Sequence, residues 1–173
     1  MSIVVVNTEY SSTVLSDIDE ACQQQAAVDL RLENVWKMEG LFIIDEEKKQ
    51  HRTTTKLEVG DDGYFYLDEG SFEISFNHNI SIGADEASLI VPRSTLARNG
   101  VFVSSGLWDP KFNGRGGCCL HVRGGPMKIK PGTRIGQFVT WKVLNAQGAY
   151  NGSYGLNPDG TPKQMEAKYH SGA

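Results

Sequence analysis

The sequence predicts an all-β chain, folded as a distorted β-barrel or jelly-roll-like sandwich with few short helices. Three observations predict it. Short apolar or alternating segments recur at close spacing, Gly-containing turns such as Asp61-Asp62-Gly63 and Asp68-Glu69-Gly70 separate them, and a helical apolar period is almost absent. A chain of 173 residues is long enough to bury one good core, so a single barrel domain is expected.

In chain order, Thr8 to Gln25 is polar, and Ser16-Asp17-Ile18-Asp19-Glu20 reads as a short helix start with Ser16 as N-cap and acids in the first turn. Val28-Asp29-Leu30-Arg31-Leu32 alternates apolar and charged residues as a half-buried strand does, which places Asp29 and Arg31 on its polar side. Leu41-Phe42-Ile43-Ile44 is a short apolar strand, and Asp45 to Thr55 is a solvated excursion. Strands follow at Tyr64–Leu67, Phe72–Phe76, Ser88–Val91, Val101–Val103, Cys118–Val122, Met127–Lys130 and Ile135–Val139. From Gln147 onward Gly, Asn, Pro and Ser accumulate and the apolar period stops. This divides the chain into a barrel over 1–146 and a flexible C-terminal arm over 147–173.

Composition excludes several partners. The net charge is −4 and the Lys and Arg residues are scattered, so a nucleic-acid polymer is not expected, whereas a small polyanion held by a few local arginines is compatible. No apolar run approaches the roughly 20 residues that span a bilayer, and Met1-Ser2-Ile3-Val4-Val5-Val6-Asn7 is too short and uncharged for a signal peptide. Cys22, Cys118 and Cys119 are odd in number, and adjacent cysteines do not readily pair, so a reducing, cytoplasmic setting is expected.

The residues able to do chemistry lie between Val91 and Val139. Pro92 ends a strand, and Arg93-Ser94 after it offers a guanidinium fork, a hydroxyl and backbone N–H groups; a short helix from Thr95 to Arg98 would aim those groups at phosphate. A Ser N-cap with a surface Arg is the plainer reading of the same residues. Asp109, between Leu107-Trp108 and Pro110, is a carboxylate in a hydrophobic setting that can polarise a water, or a simple turn residue before proline. Asp29 can hold a neighbouring Arg, approach a metal ion or make a cross-strand ion pair. Pro131-Gly132-Thr133-Arg134 is a structural turn, and Gln137 beyond it can line a pocket. Ser104 and Ser105 have no nucleophile-elbow context, and none of the four histidines has a partner at metal-ligand spacing. In the tail, Gly152-Ser153-Tyr154-Gly155 can fold over phosphates, with Tyr150 or Tyr154 stacking on a base.

These residues resemble a known family. Ala27-Val28-Asp29-Leu30-Arg31-Leu32, Arg93-Ser94-Thr95-Leu96-Ala97-Arg98, Asp109-Pro110-Lys111-Phe112-Asn113-Gly114 and Pro131-Gly132-Thr133-Arg134-Ile135-Gly136-Gln137 are similar, in order, to the motifs of the dCTP deaminases and, in looser form, of the trimeric dUTPases. The resemblance covers residues 23 to 142. It implies a distorted β-barrel, a homotrimer with nucleotide sites between subunits, a deoxyribonucleoside triphosphate as ligand, and Mg²⁺ held mainly by the triphosphate, Asp29 being a minor metal candidate beside it. It implies phosphate contacts for Arg93, Ser94 and Gln137, with Ser94 near the bond that breaks, and a pocket role for Arg98. It also implies base reading around Ser104-Ser105 and an arm carrying Tyr154 that closes over the triphosphate.

The departures indicate the activity. The deaminases carry a catalytic Glu ten residues after the third-motif Asp, and that position here is Cys119. A thiol on a strand is a poor shuttle of protons between water and an amino-bearing ring carbon. The retained Asp109 and the small residue at 119 favour hydrolysis: dUTP diphosphatase activity giving dUMP and pyrophosphate with Mg²⁺, in which Asp109 orients the attacking water. A dCTP deaminase with altered acid–base chemistry and a non-catalytic dNTP-binding regulator are the alternatives. The stretch from Ser94 to Asp109 is shorter than the family's, and both Gly152–Gly155 and Ala167-Lys168-Tyr169 are candidates for its fifth motif.

Overall fold

A computed structural model describes Val4–Val5 and residues 10–170. The rest of Met1 to Asn7, and positions 171–173 of the arm, lie outside the described residues. The strands are β1 (Val4–Val5), β2 (Val14–Leu15), β3 (Val28–Glu39), β4 (Ile43–Ile44), β5 (Lys49–Gln50), β6 (Thr53–Lys56), β7 (Phe65–Leu67) and β8 (Gly70–Phe76). They continue as β9 (Ile80–Ser81), β10 (Glu86–Pro92), β11 (Val101–Ser104), β12 (Asn113–Gly114), β13 (Gly117–Val122), β14 (Met127–Ile129) and β15 (Arg134–Lys142). Two short helices, α1 (Ser94–Arg98) and α2 (Ala167–His170), complete the set. No helix among the described residues is long and apolar enough to cross a membrane.

The main sheet runs antiparallel from β10 through β15, β3, β8 and β13 to β11. Its ends come together where Ser88 and Trp108 exchange backbone hydrogen bonds of 3.0 and 2.9 Å and Ile90 N–H donates to Ser105 Oγ, so the sheet is nearly closed as a barrel. Alternation along the strands builds the core. On β13, Cys118, Leu120 and Val122 are buried inside while Gly117, Cys119 and His121 take the outer face. Leu30, Leu32, Ile74, Phe76, Ile135 and Phe138 fill the same interior, each contributing about 1.5–3 kcal/mol by leaving water. Two bulges tighten the barrel. Each inserts one extra residue, on β3 between Leu32 and Val35 and on β15 between Arg134 and Gly136. Gly136 is required there, because a Cβ would sit 2.6 Å from Ile90 Cγ2.

Several local expectations change. Ser16 does not cap a helix; Asp19 does, accepting from Cys22 N–H at 3.0 Å over the single 3-10 turn Glu20–Cys22. Ser16 instead accepts from Asn79 N–H, because the chain there is drawn to β9. Leu41 and Phe42 are exposed and lie outside β4, whose only partner is the short β5. The polar segment ending at Thr55 is not wholly solvated, since β6 pairs with β3 through Trp36↔Lys56 and its neighbours. Ser94 is the first helical residue and Arg93 the cap position, with no side-chain capping bond.

Glu86 anchors the start of the described chain. It is fully buried and accepts from Ser11 Oγ at 2.9 Å, Thr13 N–H at 2.8 Å and Thr13 Oγ1 at 2.6 Å, with Lys142 Nζ 3.0 Å away. Burial raises its carboxyl, but bonds from Thr13, Lys142 and Ser11 outweigh this and hold it below the usual 4.5. A depressed folded-state value stabilises the fold above the unfolded-state value, and that contribution is lost as pH falls through the folded one. Urea denaturation from about pH 6 down to about pH 3 is therefore expected to show a stability decline in the native chain that Glu86→Gln flattens; equal acid slopes would refute the assignment.

Candidate functional site

The first constellation forms where β3, β10, β15 and α1 meet. Asp29 on β3 is fully buried, although the alternation places it on the polar side of its strand. Two guanidinium groups cover that side: Arg93 Nε and Arg134 Nη1 each lie 3.3 Å from Asp29 Oδ2. Asp29 Oδ1 is buried and has no hydrogen-bond partner among the described residues. Gln137 faces Asp29 across the β15–β3 ladder and Val91 across the β10 ladder, which puts it in the same row. Pro92 pairs with Gly136 at the end of β10, and the chain turns directly into α1, leaving Ser94 and Arg98 exposed on that helix. Asp29, Arg93, Ser94 and Gln137, far apart in sequence, thus share one corner.

Arg134 is a residue that sequence reasoning missed, because its motif reads as a turn. The ladder accounts for its role. Arg134 stands opposite Arg31 on the ladder, and Arg31 is committed to Asp19 at 2.7 Å and to the Gly132 carbonyl at 2.8 Å. A second arginine beside it needs its own acid, and Asp29 supplies it.

The second constellation is a cavity of about 450 Å³ on the outer face of the sheet. Its floor carries Cys119 and Glu73, the two middle members of one cross-strand row that runs from Ser104 opposite Cys119, through Cys119 opposite Glu73, to Glu73 opposite Trp36. Trp108, Phe112, Tyr150 and Tyr154 form an aromatic wall, with Trp108–Phe112 and Phe112–Tyr150 centroids 4.9 and 5.3 Å apart in edge contacts. Burial pushes the Cys119 thiol up and Glu73 pushes it further, so this thiol resists ionisation. Glu73 is the carboxylate on the floor, and both its oxygens are engaged: Oε1 accepts from the Tyr169 hydroxyl and Oε2 from Lys168 Nζ at 2.6 Å. Burial and Glu73 together hold the Tyr169 phenol far above its usual range. Gly116 beside the wall has φ +61°, and a Cβ there would lie 2.2 Å from the Trp108 ring.

Asp109 is half-buried and follows the cavity-lining Trp108 without itself lining the cavity; its carbonyl accepts from Phe112 N–H at 3.1 Å. The arm is built into the wall. Glu166 is fully buried and takes the N–H groups of Arg115, Gly116 and Gly155, the last two at 3.0 Å. Tyr169 lies over Trp36 with centroids 5.6 Å apart. Both candidate fifth-motif segments therefore contribute to the cavity, through Tyr154 and through Lys168 and Tyr169. Ser104 stands opposite the cavity-lining Cys119, and Ser105 accepts from Ile90 N–H; neither lines the cavity itself. None of Asp29, Arg93, Ser94, Arg98 or Gln137 lines the cavity, so one chain presents an anion corner and an aromatic cavity as separate halves. Among the described residues no group of three or more His, Cys, Asp or Glu side chains is placed to hold a metal.

Residues 7–143 match the family described as dCTP deaminase-like. The chain is 27% identical over 154 residues to a deoxyuridine 5'-triphosphate nucleotidohydrolase of Methanocaldococcus jannaschii, covering 87% of this chain and 98% of that protein. It is 32% identical over 142 residues to a probable enzyme of the same name from Methanopyrus kandleri, covering 80% and 91%. Among solved structures, a 2'-deoxycytidine 5'-triphosphate deaminase from Agrobacterium tumefaciens superposes with a TM-score of 0.56 at 16% identity, over 74% of this chain and 44% of that one. The EIAV dUTPase superposes with a TM-score of 0.52 at 12% identity, over 80% and 94%. The match spans the barrel strands, the anion corner and the cavity floor alike, and the chain belongs to the dCTP deaminase-like family.

Proposed function

We propose that the protein is a dUTP nucleotidohydrolase that releases dUMP and pyrophosphate. The observation that carries this reading is the anion corner, where two arginines converge on one buried carboxylate beside Ser94 and Gln137. The cavity argues in the same direction. Deamination needs a free acid–base group at the ring, and here the floor carries a thiol that resists ionisation and a carboxylate with both oxygens engaged. The archaeal relatives named for dUTP hydrolysis match 87% and 80% of the chain.

In this reading the aromatic wall stacks the uracil, and Arg93, Arg134, Ser94 and Gln137 bind the phosphates. Asp109 takes a proton from the water that attacks the α-phosphorus; the bond from that phosphorus to the bridging oxygen breaks, and pyrophosphate leaves. Mg²⁺ supplies charge neutralisation of the phosphates when bound. The corner offers it little: Asp29 Oδ1 is an unpaired acceptor but is buried, and the two guanidinium groups on Oδ2 repel a cation, so the phosphates themselves would carry Mg²⁺.

Because the two halves do not converge in one chain, the working site is completed by a neighbouring copy, as in a homotrimer. The test is pyrophosphate release from dUTP with Mg²⁺, on single variants and on their mixture. Asp109→Ala and Arg93→Ala are each expected to be inactive. Refolded together, they regain about a quarter of native activity, since random mixing joins two intact halves at about one interface in four. A mixture as inactive as its components sinks the shared site, and a native protein that releases no pyrophosphate sinks the function.

A further inference from the structure

We propose that Ser71, His121 and Ser104 form a hydrogen-bond chain that reads the edge of the pyrimidine and can present either polarity, so that one cavity binds both 4-oxo and 4-amino rings. The inference rests on the reading of the cavity as the base site.

The placement follows from register. Ser104 on β11 stands directly opposite Cys119 on β13, and directly opposed residues turn their side chains to the same face. Cys119 lines the cavity, and so does Gly106, two residues beyond Ser104. Ser104 is exposed and stands between these two lining residues, Cys119 across the ladder and Gly106 along the chain. Behind it, Ser104 Oγ and His121 Nε2 are hydrogen-bonded at 2.8 Å, and His121 Nδ1 and Ser71 Oγ at 2.8 Å. Ser71 is opposite His121 on the β13–β8 ladder, so the three side chains run across three neighbouring strands.

The chemistry follows from the imidazole. A 4-oxo pyrimidine presents an acceptor at O4, and a 4-amino pyrimidine presents a donor at N4. A group of fixed polarity accepts one and rejects the other, whereas a serine hydroxyl can serve either, as its other partner dictates. A neutral imidazole has one N–H and one bare nitrogen. With the proton on Nε2, His121 donates to Ser104, whose O–H is then free to donate to O4. With the proton on Nδ1, His121 donates to Ser71 and accepts from Ser104, whose oxygen then accepts from N4. In both arrangements both bonds to the ring persist, because the Ser71 hydroxyl also turns round. Exchanging polarity therefore costs no bond within the chain. The floor side chains beside Ser104 do not impose a polarity of their own: Cys119 is a weak donor, and Glu73 is engaged by Tyr169 and Lys168.

The experiment is calorimetric binding of dCTP and of the non-hydrolysable α,β-imido analogue of dUTP to the purified full chain with Mg²⁺. The native protein is expected to bind both with affinities within about thirtyfold of each other, since a reorientable hydroxyl leaves neither ring with an unpaired polar group. Ser104→Ala weakens both by about five- to tenfold, the worth of one hydrogen bond, and Ser104→Thr restores them. Ser71→Ala, one step back from the ligand, changes the ratio of the two affinities. A wider native gap, or a Ser104→Ala variant that binds both nucleotides as the native chain does, overturns the proposal. If both nucleotides bind as stated and dUTP is not hydrolysed, the proposed activity fails and the reading chain stands. If dUTP is hydrolysed and dCTP is rejected, the reverse holds.

Discussion

Asp109→Asn is expected to lower the rate of pyrophosphate release from dUTP by about 10²–10⁴-fold, the usual worth of a general base, while affinity for the imido analogue stays within about threefold. The split follows from how Asp109 is held. Trp108 is fixed by the paired backbone bonds to Ser88 and by its edge contact with Phe112, and the Asp109 carbonyl is held by Phe112 N–H. An amide of the same shape leaves this loop undisturbed and removes only the group that takes the proton. Steady-state pyrophosphate assays and calorimetry on the same preparation check both halves. A variant that keeps more than about a tenth of the native rate is too active to have lost its general base, and the role would then pass from Asp109 to another group.

Asp29→Ala is expected to damage stability and binding together. Removing one partner of a buried pair costs about 3–5 kcal/mol, but Arg93 and Arg134 are 32% and 29% exposed, and water at their outer faces lowers the expected cost to about 2 kcal/mol. Urea denaturation should show the earlier midpoint. Triphosphate affinity should fall as well, because the arginines lose the carboxylate that fixes their direction. Asp29→Asn keeps the volume and one acceptor oxygen, so it should recover part of the stability while the loss of negative charge still disturbs both arginines. An Asp29→Ala variant with native stability and native affinity would show that Asp29 does not organise the corner.

Much of this site can be read from the chain because period-2 alternation and turn residues are local signals. They locate β3, β8, β10, β11, β13 and β15, and the motif residues Asp29, Arg93, Ser94 and Gln137 do share one corner. What escapes is set by contacts distant in sequence. Arg134 reads as a turn residue until the β15 bulge aims it at Asp29, and a bulge leaves no trace in hydropathy. Glu73 reads as the polar partner on an alternating strand, and only register places it between Cys119 and Trp36. Glu166 lies in a polar tail, and nothing nearby in sequence announces that backbone N–H groups of Arg115 and Gly116, some fifty residues back, will join that of Gly155 in enclosing it. The two-residue strands β2, β9 and β12 are too short to carry any period.

The alternation along β13 has one more consequence. Leu120 and Val122 belong to the interior, while Cys119 faces the cavity and His121 shares its outer side of the strand. The strand is thus written in two independent texts, one for folding and one for chemistry, interleaved letter by letter. Position 119 can be rewritten, a thiol exchanged for another group, without touching the text that holds the barrel together or the phosphate corner on the other half of the site. A lineage built on this scaffold can therefore change what it does to a pyrimidine ring in single steps, keeping its hold on the triphosphate throughout.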